Sequence, residues 1–113
     1  MKAEPIGERK FISELQERGS IWIAWQEGSA LVVPVSEGGN AVYAWSDREK
    51  ADAYISVVKP ACRPVEVPLQ TFRDVWLQDT AMNIQEVRAN PHTQLPEVLT
   101  FNRSEILESL DGI

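Results

Sequence analysis

The side chains best suited to nucleophilic and acid–base chemistry are scarce: His92 is the only histidine and Cys62 the only cysteine among 113 residues. A Ser-His-Asp site needs three groups that converge, yet His92 stands beside Asn90-Pro91, a turn signal, with no serine or cysteine nucleophile motif near it. It reads as a surface loop residue. Cys62 has no CxxC partner and no glycine-rich surroundings, and it reads as a buried, inert thiol. Lys59 and Arg63 would favour its thiolate only if they approached it. One histidine, one cysteine and scattered carboxylates give no spacing typical of zinc or calcium ligands. Asp74 and Asp79, five apart on an expected helix, do not share a face. Glu37-Gly38-Gly39-Asn40 has glycines but neither a GxGxxG nor a GxxxxGK[ST] pattern, and it precedes a strand, so it reads as a hairpin turn and not as a phosphate loop. No catalytic residue, metal ligand or cofactor site is therefore assigned, and the sequence reads as that of a non-enzyme.

Aromatic and acidic residues are the remaining candidates. Trp22, Trp25, Trp45 and Trp76, with Tyr43 and Tyr54, are a large supply for so short a chain. Core filling accounts for them, but tryptophan also anchors protein partners at hot spots. Eleven Lys and Arg against seventeen Asp and Glu give a net charge of −6, which repels phosphate backbones and favours encounter with a basic surface. The basic residues alternate with acids, as in Glu8-Arg9-Lys10, and Lys10, Glu14 and Arg18 form i,i+4 pairs of ordinary helix surface. The sequence thus points to an acidic, non-catalytic protein-binding module, regulatory or immunity-like. Its partner-binding residues would be Trp22, Trp25 and Trp45 with Glu27, Glu37 and Asp47, and its partner a basic protein, not nucleic acid or membrane. The alternative is a small-molecule-binding domain or weak hydrolase built around an aromatic pocket. A homodimer is compatible with either.

These residues must be positioned by elements that the pattern predicts in turn. Phe11, Ile12 and Leu15 share a face of a helix over 8–18, which Gly19 stops. Strands follow at 20–25, 30–35 and 41–45, separated by Glu27-Gly28-Ser29 and Gly38-Gly39-Asn40, as a three-stranded meander with Pro34 at a strand end or an edge. Ser46 three residues before Glu49 has the spacing of a capping box, opening a helix over 47–58 that Lys59-Pro60 closes. A strand over 63–67 precedes a helix over 69–79, with Leu69, Phe72, Val75 and Trp76 as its apolar stripe. A fifth strand at 82–88, an irregular stretch through Pro96 and a helix over 103–110 capped by Asn102, with Glu105 three residues on, complete the order. The fold class is α+β: a central, mostly antiparallel sheet of about five short strands covered by about four helices. Bulky apolar residues occupy both parities of the first three strands, so either helices cover both sheet faces or one face meets a partner.

The length fits one domain over residues 1–113, with 1–7 as a flexible N-terminal segment. The polar start and single cysteine fit the cytoplasm, and the apolar run from Ile21 to Val35 is interrupted by Gln26, Glu27 and Gly28 and cannot span a bilayer.

Ile21-Trp22-Ile23, Ala44-Trp45-Ser46 with Ala51-Asp52-Ala53-Tyr54, and Pro64-Val65-Glu66-Val67-Pro68-Leu69 with Phe72 and Trp76-Leu77 together resemble small bacterial proteins classed as domain of unknown function 2750, over about residues 8–88. The resemblance rests on framework positions and implies a fold, with no catalytic residues to carry over. Gln70 stands where that pattern has an acidic helix cap, and the second helix lacks the tryptophan expected at its end. Asn83-Ile84 and Asn90-Pro91 more weakly resemble the end of the SseB-type N-terminal domain, a family associated with secretion and enhanced serine sensitivity.

Overall fold

The computed structural model of the protein describes residues 6–93 and 99–110. Helix α1 (Ile6–Arg18) stops where Gly19 takes a φ of 70°, a conformation that glycine adopts without steric cost. Residues 1–5 of the segment expected to be flexible lie outside the described residues, whereas 6 and 7 are already helical. Phe11 and Leu15 are buried from α1, Phe11 against Phe101 with ring centroids 5.8 Å apart.

Strand β1 (Ser20–Gln26) is the axis of the sheet. Glu27 and Gly28 both have positive φ, as a two-residue hairpin turn requires, and β2 (Ser29–Ala30) returns beside β1, with Trp25 opposite Ala30. The strand expected over 30–35 then breaks at Leu31, whose N–H donates to Ala24 O at 2.9 Å. Beyond it β3 (Val32–Pro34) pairs with β4 (Asn40–Trp45), Val32 opposite Val42. Because β2 and β4 both run antiparallel to β1, and β3 antiparallel to β4, the chain reverses at Leu31. The expected meander is therefore corrected: β2 and β3 wedge between β1 and β4, which pair directly only at Trp22–Trp45 and Ile23–Ala44. Pro34 ends β3, where its missing N–H costs no ladder bond.

Helix α2 (Arg48–Val58) leads to β5 (Arg63–Pro68), which takes the other side of β1 along its length, Ile21 opposite Val67. Pro64 and Pro68 lie on this edge strand, where proline discourages further pairing. The helix expected over 69–79 is shorter and differently wound. Three α-helical residues, α3 (Leu69–Thr71), pass into a π-helical turn over Phe72–Trp76, in which Leu77 N–H donates to Phe72 O at 3.0 Å. The wider turn brings residues five apart to one side, so Phe72 and Leu77 are buried while Val75, expected in the stripe, is 58% exposed.

Strand β6 (Ile84–Ala89) then lies parallel to β4, Val42 opposite Val87 and Ala44 opposite Ala89. Among the described residues it is the one parallel pair in an otherwise antiparallel sheet of seven strands. Strand β7 (Leu99–Asn102), which the sequence did not announce, pairs with β6 and runs into α4 (Arg103–Leu110). The expected capping of α4 is present in both directions: Glu105 N–H donates to Asn102 Oδ1 and Asn102 N–H to Glu105 Oε1, each at 2.9 Å.

Two apolar clusters result, one on each face of the sheet. Phe11 and Leu15 of α1, Leu69, Phe72 and Leu77, and Ile106 and Leu110 of α4 pack with Ile21, Ile23, Val42 and Val87. On the opposite face α2 lays Ala51 and Ile55 against Ala24 and Trp45, with Trp22, Tyr43 and Tyr54 at the margin. The bulky residues of both parities are thus largely buried internally, and among the described residues the part of the second face over β6 and β7 carries no helix. There the register places Glu86, Arg88, Thr100 and Asn102, side chains suited to water.

Candidate functional site

The carboxyl ends of the parallel strands β4 and β6 lie side by side, and the chain leaves each in a different direction. After Ala89, Asn90 adopts a φ of 49°, which asparagine tolerates better than most residues. Its N–H donates to Ala44 O at 2.7 Å, and its Oδ1 accepts from Ser46 N–H at 3.0 Å. The next residue is tied as well, since the Trp45 indole N–H donates to Pro91 O at 3.1 Å. After β4, Asp47 caps α2, its Oδ1 accepting from Lys50 N–H at 2.8 Å. The cap expected at Ser46 is therefore corrected to Asp47, because the Ser46 hydroxyl is engaged elsewhere. It donates to Glu14 Oε1 of α1 at 2.6 Å.

A charged network grows from this contact. Lys50 Nζ lies 3.4 Å from Glu14 Oε1 and 3.5 Å from Asp47 Oδ2, and Arg18 Nη1 lies 3.3 Å from Ser46 O and 3.7 Å from Asp47 Oδ2. The Ser46 hydrogen bond, with the Lys50 ammonium adding to it against the opposing effect of burial, holds the Glu14 carboxyl below its ordinary value of 4.5. A serine nucleophile needs access to substrate and a base ready to take its proton. Ser46 has no accessible surface and Glu14 is a weakened base, so this pair is arranged to hold elements together and not to attack.

Beside the network opens a cleft of about 670 Å³, walled by α1, the first turns of α2 and the loop after β6. Phe11, Tyr54, Pro91 and Leu99 give it an apolar lining; Lys10, Glu14, Glu49 and Lys50 bring charges of both signs. Tyr54 meets Tyr43 edge-on at 5.9 Å, and burial first, then Tyr43, pushes its phenol above the ordinary value of 10.0. It is a neutral hydroxyl at physiological pH. Among the described residues no group of three or more His, Cys, Asp or Glu is placed to hold a metal, and no helix is long and apolar enough to cross a membrane.

The family model of proteins of unknown function, DUF2750, matches residues 9–110. The chain belongs to the DUF2750 family. No curated protein matches it. The family match supports the first resemblance seen in the sequence and extends it through α4; it lends nothing to the SseB-type resemblance. For this DUF2750 protein the match names no activity.

The residues singled out as partner-binding scatter over the molecule. Trp45 is wholly buried between sheet and α2 and cannot anchor a partner, which corrects that expectation. Trp25 is half-buried and packs on Trp76 with centroids 6.2 Å apart. Glu27 and Glu37 are exposed in turns at the end of the sheet opposite Asp47. Trp22 and Asp47 line one shallow depression, shared with Glu49 and Glu66 and with Arg18 and Arg48. His92 is, as expected, an exposed loop residue after β6, and it lines the cleft, while Cys62, expected to be buried, is half-buried with its Sγ 3.6 Å from Gln26 Oε1. The sequence pattern does not bring Glu14, Lys50 and Asn90 together as a group; Ser46 and Asn90-Pro91 carry only local signals, of a cap and a turn.

Proposed function

We propose that this DUF2750 protein is a non-catalytic binding module whose ligand seat is the cleft at the carboxyl ends of β4 and β6. The observation that carries this reading is the cleft itself, where an apolar lining and fixed charges converge on one concave site. Such sites are the usual seats of small ligands, at volumes of roughly 300–1,000 Å³, and sheets with parallel strands favour the carboxyl ends. The Ser46–Glu14 pair, shielded and with a depressed carboxyl, supports binding over hydrolysis. A library of small polar fragments titrated into ¹⁵N-labelled protein tests the reading. Shifts concentrated in amides 47–54 and 89–93 are expected, and a library that leaves those amides unmoved would overturn it.

A second reading, a regulatory or immunity-like module for a basic protein partner in the cytoplasm, is favoured by the net charge of −6 and by the depression where Trp22 stands with the carboxylates of Asp47, Glu49 and Glu66, which outnumber the guanidinium groups of Arg18 and Arg48 there. Reversing Glu49 and Glu66 together should weaken capture of such a partner from host lysate at low salt. Unchanged capture would remove that surface as its seat.

A further inference from the structure

We infer that the cleft takes an amphoteric ligand with an apolar body, of the class of free amino acids and short peptides with both ends charged. The inference rests on the cleft being a ligand seat and names what fits it. The first turn of a helix commonly receives an anion, but at α2 that place is filled by the Asp47 carboxylate, bonded to Lys50 N–H at 2.8 Å. A phosphate-like ligand would also face Glu14, which is ionised. A simple cation fares no better, because Lys50 Nζ already stands between the carboxylates of Glu14 and Asp47, at 3.4 and 3.5 Å.

What remains to recognise a ligand is a pair of opposite charges at the edge of this network. Lys10 on α1 and Glu49 on the first turn of α2 both line the cleft and both are exposed; the Lys10 charge acts on Glu14 from a distance, but neither side chain is among the hydrogen bonds and ion pairs that join Glu14, Arg18, Ser46, Asp47 and Lys50. Phe11, Tyr54 and Leu99 supply the apolar surface beside them. A ligand carboxylate would pair with Lys10, its ammonium with Glu49, and its side chains would lie on the aromatic and aliphatic lining. Neither pairing displaces an existing ion pair, so the site can fill without dismantling the contacts that fix α1 to α2.

The test uses the dipeptide Leu-Phe, its N-acetyl form, its C-terminal amide and the doubly blocked form, titrated into ¹⁵N-labelled protein. Exposed charge pairs of this kind contribute modestly, so blocking either end should weaken binding by about three- to fivefold. Lys10→Gln should abolish the difference between the free dipeptide and its amide and leave that between the free and acetylated forms; Glu49→Gln should do the reverse. Both residues are exposed, and thermal unfolding of the variants should match the parent. If all four peptides shift the cleft amides with equal affinity, the amphoteric assignment is overturned while the cleft stands as a ligand seat. If none shifts them at about 10 mM, a concentration above any useful affinity, the assignment fails, and the fragment library alone judges the cleft.

Discussion

Glu14 leaves the surface of its own helix to hold a serine 32 residues away. The sequence shows it only as one of the i,i+4 neighbours of Lys10 and Arg18, since helical spacing exposes a side chain's local partners and says nothing of which element lies across from it. Its role has a measurable pH signature. Because the folded-state pKa is lowered, the stabilisation is fully present above the ordinary carboxyl value of 4.5 and is lost as pH falls from there through the lowered value. Glu14→Gln keeps the shape and an acceptor for Ser46 but removes the charge, and should cost about 1–2 kcal/mol at pH 7. Urea unfolding of parent and variant from pH 7 to pH 3 should show this difference shrinking towards zero below 4.5; a difference that persists at pH 3 would mean that packing, not charge, is what the substitution removes.

At the scale of elements, legibility followed locality. The end of α1 at Gly19, the hairpin at Glu27-Gly28, the closure of α2 before Pro60 and the cap of α4 depend on residues within a few positions of one another, and each was readable. Three features were not. The reversal at Leu31 is imposed by β1 and β4 spreading around β2 and β3; the π turn is chosen because it buries Leu77 alongside Phe72; and β7 exists because β6 offers it an edge. All three are tertiary decisions, and propensity yields to them. Ser46 was read as a cap for the same reason in reverse: its spacing to Glu49 is right, but a carboxylate from another helix outcompetes the local backbone for its hydroxyl. The α4 cap is the clean case for measurement. Asn102→Ala removes the acceptor of Glu105 N–H and should lower stability by about 1 kcal/mol, whereas Asn102→Asp, which keeps the acceptor, should lower it by less. Equal losses in both, read by thermal unfolding, would show that Asn102 acts through some contact other than the cap.

Viewed whole, the protein distributes its helices unevenly: α1, the α3 segment and α4 crowd one face of the sheet, and α2 alone lies on the other. A helix is about 10 Å wide, while the five strands β5, β1, β4, β6 and β7 side by side, at about 4.8 Å spacing, span roughly twice that, so among the described residues α2 leaves part of its face open. Self-association there would give the open part a cover, and the sequence, with bulky residues of both parities, left room for it. The residues argue otherwise. Glu86 pairs with Arg88 within one chain at 3.4 Å, the Arg88 guanidinium lies 5.9 Å over the Tyr43 ring, and Thr100 and Asn102 complete a polar strip. Among the described residues the large hydrophobics that stand exposed are Val57, Val58 and Val75, and Val75 belongs to the other face. A stable dimer buries about 800 Å² per partner around a water-excluding centre; two exposed valines on α2 do not provide that centre, and covering Arg88 and Glu86 would add their desolvation. Sedimentation equilibrium should therefore return the monomer mass across the micromolar range, unchanged by Val57→Asp. A dimer in the parent that Val57→Asp dissolves would instead assign the open face to a second copy of the chain.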